Sequence, residues 1–172
     1  NQMLTKEDLD AVYISIPPFA HGAPERAVIK AGLAMFVEKP VHMDTQDARE
    51  IAQMVDEAGI ITATGYQERY LDIVDKTKEL LADRRVGFFM GYWMGGMPGR
   101  WWREKAKSGG QIHEQTTHEI DLARYLFGEA TRVYAVDRTG LLPDADYDIE
   151  EASAVSMQFE SGVFGVMFSA CF

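Results

Sequence analysis

The feature that most constrains this chain is an alternation over residues 10–83. Short apolar, β-branched runs at 10–16, 33–37 and 60–64 alternate with helical stretches at 21–31, 45–58 and 69–83. Each run is followed within a few residues by a breaker: Pro17-Pro18, Pro40 or Gly65. The first two helical stretches close on Gly32 and Gly59, residues suited to a left-handed C-terminal cap, and Asp44 or Thr45 can cap the second at its start. Strands this short and this apolar, joined through helices by short loops, pair in parallel and are buried on both faces.

The texture changes after Arg85. An aromatic-rich strand is predicted at 86–94, a glycine-rich loop at 94–99, a helix at 116–127 closed by Gly128, and strands at 131–137, 152–159 and 163–169. Glu160-Ser161-Gly162 reads as the turn of a hairpin between the last two. The expected fold is therefore α/β, the C-terminal part of a Rossmann-type parallel sheet in residues 1–85. An α+β domain with a mostly antiparallel sheet should fill residues 86–172. Leu141 to Glu150, rich in Asp and Pro, reads as a surface loop.

Composition narrows the chemistry. A net charge of −10 with no Lys/Arg-rich run argues against a nucleic-acid partner, which needs a basic surface. No apolar run is long enough to span a bilayer, so no membrane partner is expected. Cys171 is the one cysteine. It cannot form an intrachain disulfide, which fits a reducing, cytoplasmic setting, and it reads as a small buried apolar residue. The chain begins at Asn1 and stops in an apolar stretch, so a fragment truncated at both ends is expected.

Ligands of parallel α/β sheets bind beyond the carboxyl ends of the strands. Ser15-Ile16-Pro17-Pro18, with His21 close behind, Glu38-Lys39-Pro40 and Gly65-Tyr66 all fall there. A Glu-Lys pair at the end of a buried strand costs free energy unless both charges find partners, so it is either a ligand contact or a strand-end ion pair. His21 either contacts a ligand or caps the next helix. A second cluster runs from Gly109 to Leu122. At helical spacing Glu114, His118, Asp121 and Tyr125 share one face, and Ile120, Ala123, Leu126 and Phe127 take the other. A histidine flanked by carboxylates suits proton transfer near neutral pH; a solvated face with charge pairs is the other reading. His113 and His118 are five residues apart, not the four of a zinc-protease helix, and no metal site is expected. Trp101 and Trp102 either stack a sugar ring or pack against the helix.

Together, Asp10-Ala-Val-Tyr-Ile-Ser-Ile-Pro-Pro-x-x-His21, Val37-Glu-Lys-Pro40 and Gly109-Gly-Gln-x-x-Glu-Gln-x-x-His118-x-x-Asp121-Leu resemble the glucose–fructose oxidoreductase/inositol dehydrogenase/rhizopine catabolism (Gfo/Idh/MocA) family. The resemblance runs from residue 10 to 169. It implies an NAD- or NADP-dependent oxidoreductase acting on a sugar, cyclitol or related polyol. It also implies a homo-oligomer, dimer or tetramer, built through the antiparallel sheet. Ile16, Pro17, Pro18, His21, Glu38, Lys39 and Pro40 would line the nicotinamide half of the cofactor. Lys39, His118 and Glu114 would be catalytic, with His118 as acid/base. Trp101, Trp102, Arg103, Asp121 and Tyr66 would wall the substrate pocket. Glu114 and Thr116 depart from the Asp and Gly common in the family. No Gly-x-Gly-x-x-Gly phosphate turn occurs in the sequence, and it is expected upstream of Asn1. A non-catalytic assembly module that kept the fold and a hydrolase are the competing readings.

Overall fold

A computed structural model describes residues 2–143 and 146–172. It divides into two compact units, Asn1–Gly65 and Tyr66–Phe172. By packing, the helix after Gly65 groups with the second unit, ahead of the sequence boundary near residue 85.

The first unit holds α1 (Gln2–Lys6), β1 (Ala11–Ile14), α2 (Ala23–Lys30), β2 (Ala34–Val37), α3 (Thr45–Ala58) and β3 (Thr62–Thr64). The strands form a parallel sheet in the order β1-β2-β3, with Val12 beside Met35 and Val37 beside Thr64. Val12, Ile14, Val28, Ile29, Met35, Val37 and Ile51 make its core. The helix expected from His21 begins later, at Ala23. Pro18–Ala20 forms a 3₁₀ turn, and Gly22, at φ 107°, redirects the chain into α2. Asp44 caps α3 by accepting from the Gln46 and Asp47 amides, and Gly59 closes it at φ 63°.

The second unit holds α4 (Asp72–Leu81), β4 (Phe88–Gly95), α5 (Lys105–Ser108), α6 (Gln111–Glu114), α7 (Thr117–Phe127), β5 (Ala130–Arg138), β6 (Ala152–Phe159) and β7 (Phe164–Cys171). Its sheet has the order β4-β7-β6-β5, with β4 parallel to β7 and the other pairs antiparallel. The β6–β7 turn falls at Glu160-Ser161-Gly162, with Gly162 at φ 85°. Alternation gives the sheet two faces. Val155, Met157, Phe159 and Met167 point inward against Ala123, Ile120 and Phe127 of α7. Phe159 is 1% exposed, and burying a side chain of that size contributes about 1.5–3 kcal/mol. Met90, Tyr92, Met94 and Tyr134 lie on the outer face, each about 70% exposed (71, 70, 67 and 69%).

Three elements differ from expectation. The helix expected at 69–83 is a 3₁₀ turn (Gln67–Tyr70), then extended Leu71, then α4, and Arg69 within the turn bonds Asp121 of α7. The end of the 141–150 loop is not surface: Ile149 and Glu150 are 1% and 4% exposed. Asp144 and Ala145 of that loop lie outside the described residues. The helix carrying Glu114 and His118 is interrupted between them.

Candidate active site

In the first unit the ladder continues past the strands. The Glu38 amide donates to the Ile14 carbonyl at 2.9 Å, and the Gly65 amide to the Val37 carbonyl at 2.9 Å. This sets Glu38 and Lys39 at the carboxyl end of the sheet, where such sheets bind ligands. Tyr13, stacked on Phe36 with ring centroids 4.3 Å apart, donates its hydroxyl to Glu38 Oε1 at 3.3 Å. The Lys39 amide donates to Glu38 Oε2 at 3.3 Å. A Cβ on Gly65 would sit 2.6 Å from Glu38 Oε2, closer than any real contact, so the carboxylate occupies space only a glycine leaves. Glu38 and Lys39 are half-buried, and Pro40, joined to Lys39 by a cis peptide, is buried.

Ile16, Pro17 and Pro18 form the loop leaving β1 in the same unit. His21 is engaged inside the protein. Its Nδ1 lies 2.6 Å from Glu25 Oε1 and its Nε2 lies 3.1 Å from the Ile16 carbonyl oxygen. Both side chains are fully enclosed. Burial alone would raise the Glu25 carboxyl. Hydrogen bonds from His21, from its own amide and from the Gly22 amide, with the charge on His21, outweigh that and hold it below the ordinary carboxylate range.

In the second unit the catalytic candidates do not share one continuous helix. Glu114 ends α6 and His118 lies in the first turn of α7. The Gln111 and Thr116 side chains bond each other at 3.2 Å and both bond Ser169 of β7, Thr116 at 2.6 Å. Gln115 and Thr116 between the two helices keep right-handed helical dihedrals, and Glu114 and Asp121 are both buried. Upstream, Gly109 and Gly110 take φ 83° and 105°. A Cβ on Gly110 would meet the Glu150 carboxylate at 2.7 Å. Glu150 Oε1 accepts the Ile112 amide at 3.0 Å and so caps α6.

The Tyr66 ring meets His118 edge-on at 6.2 Å, and its hydroxyl lies 3.5 Å from Thr117 Oγ1. Asp121, expected on the substrate wall, pairs with Arg69. Its two oxygens receive Arg69 Nε, at 2.6 Å, and Arg69 Nη2. The Arg69 guanidinium also lies over the Tyr125 ring at 5.0 Å. Trp101 and Trp102 lie 4.9 Å apart, tilted, in the turn Arg100–Arg103. Trp101 and Arg103 line a cleft of about 850 Å³ with Arg100, Glu104 and Tyr147. Arg103 Nε donates to the Pro98 carbonyl at 2.5 Å.

Sequence gives no role to Glu25, Arg69, Glu150 and Ser169, nor the pairing of Gln111 with Thr116 and Ser169. Only Glu25 had a local signal: it stands one helical turn after His21 and three residues after Gly22. The others act across 38 to 58 residues of chain.

Residues 1–66 match the oxidoreductase family described as an NAD-binding Rossmann fold, and residues 78–172 match the GFO/IDH/MocA C-terminal domain. The chain belongs to the Gfo/Idh/MocA family. Among its curated Gfo/Idh/MocA relatives is a 1,5-anhydro-D-fructose reductase of Ensifer adhaerens, 27% identical over 98% of this chain and 53% of the relative. Another is the scyllo-inositol 2-dehydrogenase (NAD(+)) of Bacillus subtilis, 27% identical over 95% of this chain and 49% of the relative. The crystal structure of GenD2 from gentamicin A biosynthesis, in complex with NAD, superposes with a TM-score of 0.88 at 28% identity. That match covers 98% of this chain and 50% of GenD2. The chain spans about half the length of the curated relatives it matches. Among the described residues no helix is long and apolar enough to cross a membrane.

Proposed function

We propose that this chain carries the nicotinamide-side and substrate-side residues of an NAD(P)-dependent oxidoreductase acting on a sugar, cyclitol or related polyol. The observation that carries the reading is the Glu38-Lys39 end of β2, where Gly65 makes room for a carboxylate held by Tyr13 and the Lys39 amide. A fixed carboxylate at that end of a parallel sheet suits the hydroxyls of a ribose. The residues present thus fit the nicotinamide riboside half of a dinucleotide, whose ring supplies hydride transfer when bound.

Each residue then has a role. Glu38 accepts from the ribose hydroxyls. The loop Ile16–Pro18 and cis Pro40 shape the surface beside the ring. Lys39 hydrogen-bonds the reacting oxygen and stabilises negative charge developing on it, and His118 takes the hydroxyl proton. Glu114, at the end of α6, completes the catalytic set with Lys39 and His118. Trp101, Trp102, Arg103 and Tyr66 contact the substrate. The outer face of the second sheet, with Met90, Tyr92, Met94 and Tyr134 exposed, is where copies of the protein associate.

Titration of the intact protein with NADH and NADPH, followed by nicotinamide fluorescence, tests the cofactor assignment. Binding that disappears in Glu38→Ala and weakens in Lys39→Ala supports it; binding untouched by both substitutions removes these residues from the site. In the protein turning over its substrate, Lys39→Ala and His118→Ala should each cut kcat about 10²–10⁴-fold. Turnover like that of the unsubstituted protein would take that residue out of its role.

A further inference from the structure

We propose that His21 and Glu25 form a positioning pair that holds the Ile16–Pro18 loop in the shape the nicotinamide half requires; this rests on the cofactor reading above. The loop leaves β1 through two prolines and has few backbone bonds of its own. The Ala20 and His21 amides donate to the Pro17 and Pro18 carbonyls at 2.9 and 3.3 Å. Ile16 packs against the core and Pro18 is buried, and the His21 ring adds a polar tie to α2. A carbonyl oxygen only accepts, so Nε2 carries the proton that binds Ile16, and Nδ1 faces the Glu25 carboxylate. Glu25 in turn accepts the Gly22 amide through Oε2 at 2.5 Å. One buried pair thus fixes both ends of the 16–22 segment: the residue that starts the loop and the glycine that opens α2.

A fully enclosed imidazole and carboxylate are costly to place inside a small unit unless every polar atom is paired. Here both ring nitrogens and both carboxylate oxygens are paired, and three of those partners lie within residues 16–22. Packing alone would be served by two apolar side chains. The pair instead specifies the position of one carbonyl and one amide. His21 and Glu25 do not touch the cofactor in this reading; they act through the loop.

Two variants separate the roles of geometry and charge. Glu25→Gln keeps the connections: its amide oxygen can accept from Gly22 and its NH₂ can donate to a neutral ring that still donates to Ile16. Glu25→Ala and His21→Ala remove them. Hydrogen exchange in the chain without cofactor reads the loop directly. We expect the Ala20, His21 and Gly22 amides to exchange at least about tenfold faster in both alanine variants, with the β1–β2 amides unchanged. Glu25→Gln should restore most of the protection. Unchanged exchange at 20–22, or an equal rise across the whole sheet, would overturn the positioning role. The Kd for NADH should rise about tenfold in His21→Ala and recover in Glu25→Gln relative to Glu25→Ala. A locally loosened loop with unaltered Kd would show that the pair shapes the loop but not the cofactor site, and would sink the proposal. An intact protein containing this chain that binds neither NADH nor NADPH would overturn the cofactor reading, and exchange would then still decide whether the pair holds the loop.

Discussion

Asp121→Ala should destabilise the second unit rather than empty a substrate pocket. The Asp121 side chain is 8% exposed and the Arg69 side chain 35% exposed, and they meet through two hydrogen bonds. Breaking a fully buried ion pair from one side costs about 3–5 kcal/mol. In Asp121→Ala the stranded group is Arg69, a third of which already reaches water, so the loss should be about 2 kcal/mol. In Arg69→Leu the stranded group is the buried carboxylate, and the loss should be larger, about 3 kcal/mol. The double variant strands nothing and should lose less than the sum of the two, with a coupling of about 1.5–3 kcal/mol. Urea or thermal denaturation of the four proteins measures the cycle, and about 2 kcal/mol corresponds to a Tm shift of about 4–8 °C at this size. Single variants that add within about 0.3 kcal/mol would refute the clamp. So would an Asp121→Ala protein of unchanged Tm with a raised substrate KM, which would return Asp121 to the substrate wall.

Gly65→Ala places a Cβ 2.6 Å from Glu38 Oε2 and must push the carboxylate away from Tyr13; NADH affinity should fall, though less than in Glu38→Ala, and unaltered affinity would sink the packing argument. Glu25 has a lowered folded-state pKa, so its contribution to stability is present above the unfolded carboxyl range and is lost as pH falls through the folded value. Acid titration should therefore show a loss of stability below the ordinary carboxyl range that disappears in Glu25→Gln; an identical acid profile in that variant would contradict it. Cys171 is 0% exposed, and burial, with the charges of Glu151 and Glu150, pushes its thiol up to about 11. A thiol reagent at neutral pH should modify it no faster than the protein opens, and rapid labelling of the folded chain would show that this strand end is not closed.

Some of this architecture is written locally in the chain. Apolar runs broken by Pro17, Pro40 and Gly65 specify the parallel strands, because a buried strand needs β-branched apolar residues and an abrupt stop. Asp44 and Gly59 delimit α3 because a cap acts within one turn of its own helix. The Ala152–Phe159 strand and the turn at Gly162 are likewise local. The placing of Glu38 and Lys39 at the ligand end of the sheet follows from strand order alone.

What the tertiary structure decided involves partners far apart in sequence. Gln111 and Thr116 bond Ser169, more than fifty residues away, which no helical periodicity can register. Asp121 pairs with Arg69, 52 residues away, and Glu150 looked like part of a surface loop until it capped α6. His21 is the local case: its partners Glu25 and the Ile16 carbonyl lie four and five residues away. The physical reason is common to the other three. Local propensity depends on a residue's own backbone and its neighbours within a turn, whereas a polar group enclosed by folding must bond whatever the fold brings beside it.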